Sequence, residues 1–156
     1  MKGNDKVIAA LNEALQEELR AISQYFVHCE MCENWKYEAL AKFIKKQSID
    51  EMKHAEKLIE RILFLDGTPN LAGPSHLTIG KTVKEQFAND LALEEGAVKM
   101  YNSFTLLARE NGDNVSSDLF KTLLHDEEEH ADWLEAQLHL IEEIGYERYL
   151  GQHLEK

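Results

Sequence analysis

The sequence predicts an all-α fold, a four-helix bundle running up-down-down-up with one long crossover. Three observations carry this expectation. Apolar residues recur at alternating steps of three and four along four long stretches, the period of a helix with one buried face. Only two prolines occur in 156 residues, so long helices meet few breaks. The one long stretch without a period, Asp66 to Gly80, carries Gly67, Pro69, Gly73 and Pro74 and falls between the second and third helices.

The first helix is expected to start after the Asn4-Asp5 capping signal and to reach about Asn34. Its inward seam reads Ile8, Leu11, Leu15, Glu18, Ile22, Tyr25, Cys29, Cys32. The second, from about Lys36 to Leu65, reads Leu40, Ile44, Gln47, Glu51, His54, Leu58. The third, from about Lys81 to Arg109, reads Val83, Phe87, Asp90, Glu94, Ala97, Tyr101, Phe104, Ala108. The fourth follows the turn Asn111-Gly112-Asp113-Asn114 and reads Phe120, Leu123, Glu127, His130, Leu134, Leu138, Ile141, ending near Gly145. Fifteen residues of crossover can span up to about 50 Å. That is enough to return the chain along the bundle, so the third helix is expected to run parallel to the second.

All four seams are interrupted by charge at mid-length. Glu18 is followed by Glu51-x-x-His54, and Glu94 by Glu127-x-x-His130, with thirty-three residues from Glu18 to Glu51 and again from Glu94 to Glu127. A three-residue step puts each Glu and His on one helix face, a turn apart. In a tight hairpin, residues thirty-three apart each lie about 24 Å from the turn, so both hairpins bring these groups to one level. A buried lone carboxylate costs several kcal/mol, and four at one level need a shared counter-charge. Two divalent cations supply it. Mixed oxygen and nitrogen donors suit iron or manganese and would accept zinc.

Within the acidic run Asp126-Glu127-Glu128-Glu129 only Glu127 shares the seam and the spacing. Glu128 and Glu129 are expected on a solvated face, as are Glu17, Glu56 and Glu95, with Glu17 and Glu95 near enough for outer contacts to the site. Cys29-x-x-Cys32 lies on the apolar seam and reads as two buried thiols rather than a redox pair. His28, His125 and His139 are placed on or near helix surfaces, His76 in the crossover and His153 near the end. None repeats a ligand spacing.

Composition bounds the rest. With 29 acidic against 17 basic residues the formal charge is −12, which disfavours nucleic acid and anionic membranes and favours cations. No apolar run approaches the roughly 20 residues of a membrane span. The start, Met1-Lys2-Gly3-Asn4-Asp5-Lys6, has no apolar signal segment, so a cytoplasmic location and one domain over residues 1–156 are expected.

The stretches Met1-Lys2-Gly3, Gln24-Tyr25-Phe26, Ser48-Ile49-Asp50-Glu51-Met52-Lys53-His54-Ala55, Ile59-Glu60-Arg61-Ile62-Leu63-Phe64-Leu65, Asp90-Leu91-Ala92-Leu93-Glu94 and Asp126-Glu127-Glu128 together resemble the bacterioferritin family over nearly the whole chain. A Glu from each of two helices with Glu-x-x-His from each of the other two is the known pattern of ferritin-like di-iron bundles, and the six residues are matched to it. The resemblance implies a ferroxidase that oxidises Fe²⁺ with O₂ or H₂O₂ and stores the product as mineral. Glu18, Glu51, His54, Glu94, Glu127 and His130 fall on its ligands for two irons per subunit. Glu51 and Glu127 would bridge, with Glu18 and His54 on one metal and Glu94 and His130 on the other.

The resemblance further implies a 24-subunit homo-oligomer built from twofold dimers, and a short fifth helix around Tyr146 to Leu150. It implies Met52 as axial ligand of a haem b shared between two subunits, and a small ferredoxin as electron donor for iron release. From the residues alone, Met52 reads as packing at a subunit interface, beside an apolar flank of Leu19, Ile22, Phe26, Ile49 and Ile59. Tyr25 and Trp133 read as packing; in the family's likeness Tyr25 lies near the di-iron centre, where it can donate an electron. Two departures stand out. Lys46 occupies a place where studied relatives often have a His that, with the match of Asp50, holds iron on the inner surface; protonated lysine cannot. Leu58 stands where many relatives carry tyrosine.

Two rival functions use the same bundle. A di-iron oxygenase or peroxidase would need an organic-substrate pocket and remain a monomer or dimer. A passive haem or metal binder would not oxidise iron.

Overall fold

The structure is a computed structural model that describes residues 1–73 and 76–154. Pro74, part of the expected crossover, lies outside them. Among the described residues the chain forms α1 (Asp5–Asn34), α2 (Glu38–Phe64), α3 (Val83–Glu110), α4 (Asn114–Ile144) and the short α5 (Tyr146–Gly151). The fold is the four-helix bundle that the seams predict, and α5 matches the short fifth helix that the family resemblance implies.

Local chemistry sets the helix ends. Asn4 caps α1 by accepting from the Lys6 and Val7 amides at 2.8 and 3.2 Å. The α1–α2 turn puts Lys36 in the left-handed region at φ 71°, so α2 begins at Glu38, two residues later than the apolar pattern predicts. Thr82 caps α3 by accepting from the Glu85 amide, while Glu85 reaches back to the Lys81 amide, which moves that start to Val83. Asp113 caps α4 and also takes the Arg61 guanidinium at 2.8 Å, tying this turn to the end of α2.

Helix directions follow from which residues meet. Along α1, Glu18 meets Tyr101, Tyr25 meets Glu94 and His28 meets Asp90, so α3 runs opposite to α1. Along α2, Phe43 stacks on Trp133, His54 meets Asp126 and Arg61 meets Asp113, so α4 opposes α2. With α1–α2 and α3–α4 as hairpins, the order is up-down-down-up. The crossover is laced to α1. Asn12 holds Thr68 and Asn70, Gln16 donates to the Asn70 carbonyl, Gln24 accepts from the Thr78 amide and His28 from the Gly80 amide. Gly80 is required there, since a Cβ would lie 2.4 Å from the Gln86 nitrogen.

The apolar interior divides in two. One cluster gathers Leu11, Leu15, Leu58, Ile62, Tyr101, Phe104, Phe120 and Leu123. The other gathers Tyr25, Cys32, Leu40, Ile44, Phe87, Leu134, Ile141 and Tyr149. The charged level lies between them. Trp133 stacks on Phe43 at 4.2 Å and meets Phe87 edge-on, a packing role. Among the described residues no helix is long and apolar enough to cross a membrane.

Candidate dimetal centre

Each helix brings charge to the middle of the bundle from its own seam. Glu18, Glu51, Glu94 and Glu127 are at most 2% exposed, and His54 and His130 are buried beside them. All six residues singled out by spacing converge. Ligand atoms of Glu18, Glu51, His54 and Glu127 lie within 4.8 Å of one another, and so do those of Glu51, Glu94, Glu127 and His130. Glu51 and Glu127 belong to both groups, the placement a bridging carboxylate needs.

His54 Nδ1 stands 3.2 Å from Glu127, 3.5 Å from Glu18 and 3.7 Å from Glu51. His130 Nδ1 stands 3.0 Å from Glu51 and 3.7 Å from both Glu94 and Glu127. The atoms left without a hydrogen bond include Oε2 of Glu18, both carboxylate oxygens of Glu51, Oε2 of Glu94, Oε1 of Glu127 and Nδ1 of both histidines. Buried polar atoms are ordinarily paired. Unpaired polar atoms from all six residues, gathered at one level, fit a pair of cations once the protons they carry are displaced.

The electrostatics agree. Burial, reinforced by neighbouring carboxylates, pushes Glu51 and Glu127 well above the usual carboxylate range. Burial acts to lower His54, but its contacts with Glu127 and Glu18 prevail and raise it to about 11. Burial would raise Glu18, yet the close approach of Glu51 and His54 holds it low. Without metal, protons do the neutralising, and cations would displace them.

Around the six lies a shell that the seams only partly announce. Tyr25 donates to Glu94 at 2.6 Å and Tyr101 to Glu18 at 2.5 Å. His54 Nε2 meets Asp126 at 2.9 Å, which orients the ring from behind. Asp126 precedes Glu127 as Asp50 precedes Glu51, yet no hydrogen bond among the described residues reaches His130 Nε2.

His28 is a correction. Expected near a surface, it is fully buried. Its Nδ1 lies 3.0 and 3.2 Å from the two Asp90 oxygens, and its Nε2 accepts from Gly80 N–H, which fixes the proton on Nδ1. Gln24 also donates to Asp90 at 2.8 Å. The reason is that α1 packs against both α2 and α3 and buries Val7, Ala10, Ala14, Gln24 and His28 beside its main seam. One stripe understates the face of a helix with two neighbours.

Glu56, Glu95, Glu128 and Glu129 are exposed, and Glu17 pairs with Arg20 at 3.6 Å rather than with the site. His125 and His139 are exposed, His76 lies exposed in the crossover, and His153 rests on the Tyr149 ring. Cys29 and Cys32 are free buried thiols, with Cys32 pushed up by burial to about 12. Lys46 is exposed and Leu58 fully buried. Met52 is outside the centre, 47% exposed on the α1–α2 flank with Phe26 and Ile49, also exposed.

A family model described as "Ferritin-like domain" matches residues 8–144. The chain is similar to a bacterioferritin of Mycolicibacterium paratuberculosis, 43% identical over 97% of this chain and 96% of that protein. It is also similar to a bacterioferritin of Brucella melitensis, 48% identical over 96% and 92%, and to one of Rhodobacter capsulatus, 47% identical over 93% and 90%. With the bundle, the doubled Glu and Glu-x-x-His pattern and likeness along almost its full length, the chain belongs to the bacterioferritin family of ferritin-like proteins.

Proposed function

We propose that the chain is an iron-storage ferroxidase that oxidises Fe²⁺ at the mid-bundle centre and passes the product to a mineral held inside a 24-subunit shell. The supporting observation is the set of buried, unpaired carboxylate oxygens and imidazole nitrogens that two divalent ions would satisfy. Iron is the substrate. Glu18 and His54 hold one ion, Glu94 and His130 the other, and Glu51 and Glu127 lie between. Two Fe²⁺ each lose one electron, and the pair passes together either to O₂, which takes two protons and leaves as H₂O₂, or to H₂O₂, which takes two protons and leaves as two waters, so one-electron oxygen products are avoided.

The chain's own groups do three things. The net charge of −12 draws cations toward the subunit. A surface depression lined by Asp50, Lys53, His54, Lys57, Asp126, Glu129 and His130 opens between α2 and α4 onto the two ligand histidines. The two apolar clusters close the centre on either side and keep its coordination geometry fixed.

Met52 sits on an apolar flank with Phe26 and Ile49 exposed and Leu19, Ile22 and Ile59 half-buried. A face of this kind is suited to burial against a second copy. In this reading Met52 from each of two subunits would hold a haem b, which supplies an electron path for iron release with a small ferredoxin as donor; a thioether on both sides favours the reduced iron. The location is cytoplasmic.

Aerobic addition of Fe²⁺ to purified protein, followed by ferric absorbance, tests the activity. Fast oxidation lost in Glu51→Ala or Glu127→Ala supports it; unchanged rates exclude the centre. Size-exclusion chromatography giving a monomer or dimer would remove the storage shell and favour an oxygenase. A haem spectrum unaltered by Met52→Leu would remove the methionine ligation.

A further inference from the structure

The doubled pattern extends one step beyond the six residues. Tyr25 follows Glu18 by seven positions, and Tyr101 follows Glu94 by seven. Because α1 and α3 run antiparallel, each tyrosine reaches the glutamate of the other helix: Tyr25 donates to Glu94 Oε1, Tyr101 to Glu18 Oε1. Both rings are at most 2% exposed. In each glutamate the second oxygen, Oε2, is buried and has no hydrogen-bond partner. For Glu18 that free oxygen faces His54 Nδ1 at 3.5 Å.

A carboxylate turns easily about its last bond. A donor fixed on one oxygen sets the plane and decides where the other points. The Tyr101 ring is held by Phe120 and Phe104, which pack on each other, with Leu15 and Leu58 in the same apolar cluster. Among the described residues its hydroxyl bonds to Glu18 alone. We propose that Tyr101 is a positioning residue for the Glu18/His54 half of the centre, holding Glu18 so that Oε2 is presented to a divalent cation, as Tyr25 does for Glu94. This rests on the two-ion reading of the centre. It also differs from a core-filling role in one respect: loss of the hydroxyl should affect one metal position and leave the other alone.

The test uses full-length, metal-free protein and Co²⁺ alone, titrated by calorimetry and visible absorption. His130→Ala isolates the Glu18/His54 position and His54→Ala isolates the Glu94/His130 position. Tyr101→Phe should weaken Co²⁺ binding about 10–100-fold in the His130→Ala background, the usual effect of losing an outer partner of a metal ligand, and leave it unchanged in the His54→Ala background. Tyr25→Phe should do the reverse. Tyr101→Met, which removes the hydroxyl while filling the space flexibly, should match Tyr101→Phe, and melting curves of the metal-free variants establish that each is folded. Equal affinity with and without the hydroxyl, or equal loss at both positions, overturns the proposal. If the unmodified protein does not bind two Co²⁺ per chain, the two-ion reading itself fails and this one falls with it. If it binds two and Tyr101→Phe changes nothing, only the role of Tyr101 fails.

Discussion

The two halves of the centre share their ligand types but not their support. The half built on Glu18 and His54 has Tyr101 on its glutamate and Asp126 behind its imidazole. The half built on Glu94 and His130 has Tyr25 on its glutamate, and no hydrogen bond among the described residues orients His130 from behind. Instead it has a buried neighbour, Asp90 with His28 and Gln24, that the first half lacks. A histidine backed by a carboxylate has a fixed ring and a more basic ligand nitrogen. On the proposed two-ion reading, the Glu18/His54 position would hold its ion and the Glu94/His130 position would exchange its own more readily.

Asp126→Ala puts the largest strain on this contrast. It should weaken divalent-metal affinity about 10–100-fold at the Glu18/His54 position and bring the two positions level, measured by Co²⁺ titration. Should the two bind alike before the substitution, the contrast is wrong.

The metal-free centre is sensitive to pH in a definite direction. His54 is raised to about 11, so its contribution to stability is full below its unfolded value near 6.5 and is lost as pH rises through about 11. Glu51 and Glu127 are raised as well, so above about pH 4.5 folding becomes costlier as the unfolded chain sheds protons the folded one retains. Glu18, held low, acts oppositely, but only below about 4.5. The metal-free melting temperature should thus fall from pH 5 to pH 9. With two equivalents of Zn²⁺ the fall should flatten or reverse, because ligand deprotonation favours the metal. A metal-free melting temperature that climbs over this range would mean the six groups are not gathered as described.

His28→Phe addresses the network found only beside the second half. It leaves Asp90 with Gln24 alone and Gly80 N–H without an acceptor, a loss of about 1–3 kcal/mol in denaturant unfolding. Co²⁺ affinity at the Glu18/His54 position should not move. Smallest of all, Glu129→Gln on the solvated face of α4 should shift stability by no more than about 0.5 kcal/mol, read in the same unfolding curves.

Much of this was legible in the sequence because burial has a period. A glutamate such as Glu18 in an otherwise apolar seam announces itself, and the equal spacing of Glu51 and Glu127 from their partners gives the level. The crossover was legible from Gly67, Pro69 and Gly73 and from its length. His28 was not, because the seam describes one face of α1 while the helix is covered by two neighbours; whether a histidine beside a seam meets water or α3 depends on the packing angle. Tyr101 was placed in the core, but its bond to Glu18 depends on α1 and α3 being antiparallel at a particular register. The seven-residue step shared by Glu18–Tyr25 and Glu94–Tyr101 was the available signal. Asp126 was hidden within an acidic run in which only Glu127 kept the period.

The crossover has a consequence beyond geometry. A bundle formed by two separate copies of one helical hairpin would be related by a twofold axis, and any residue behind one imidazole would recur behind the other. Joining the hairpins into a single polypeptide releases that constraint. Asp126 without a matching bond to His130 among the described residues, and His28 with Asp90 on one side alone, are differences that two identical hairpins could not encode.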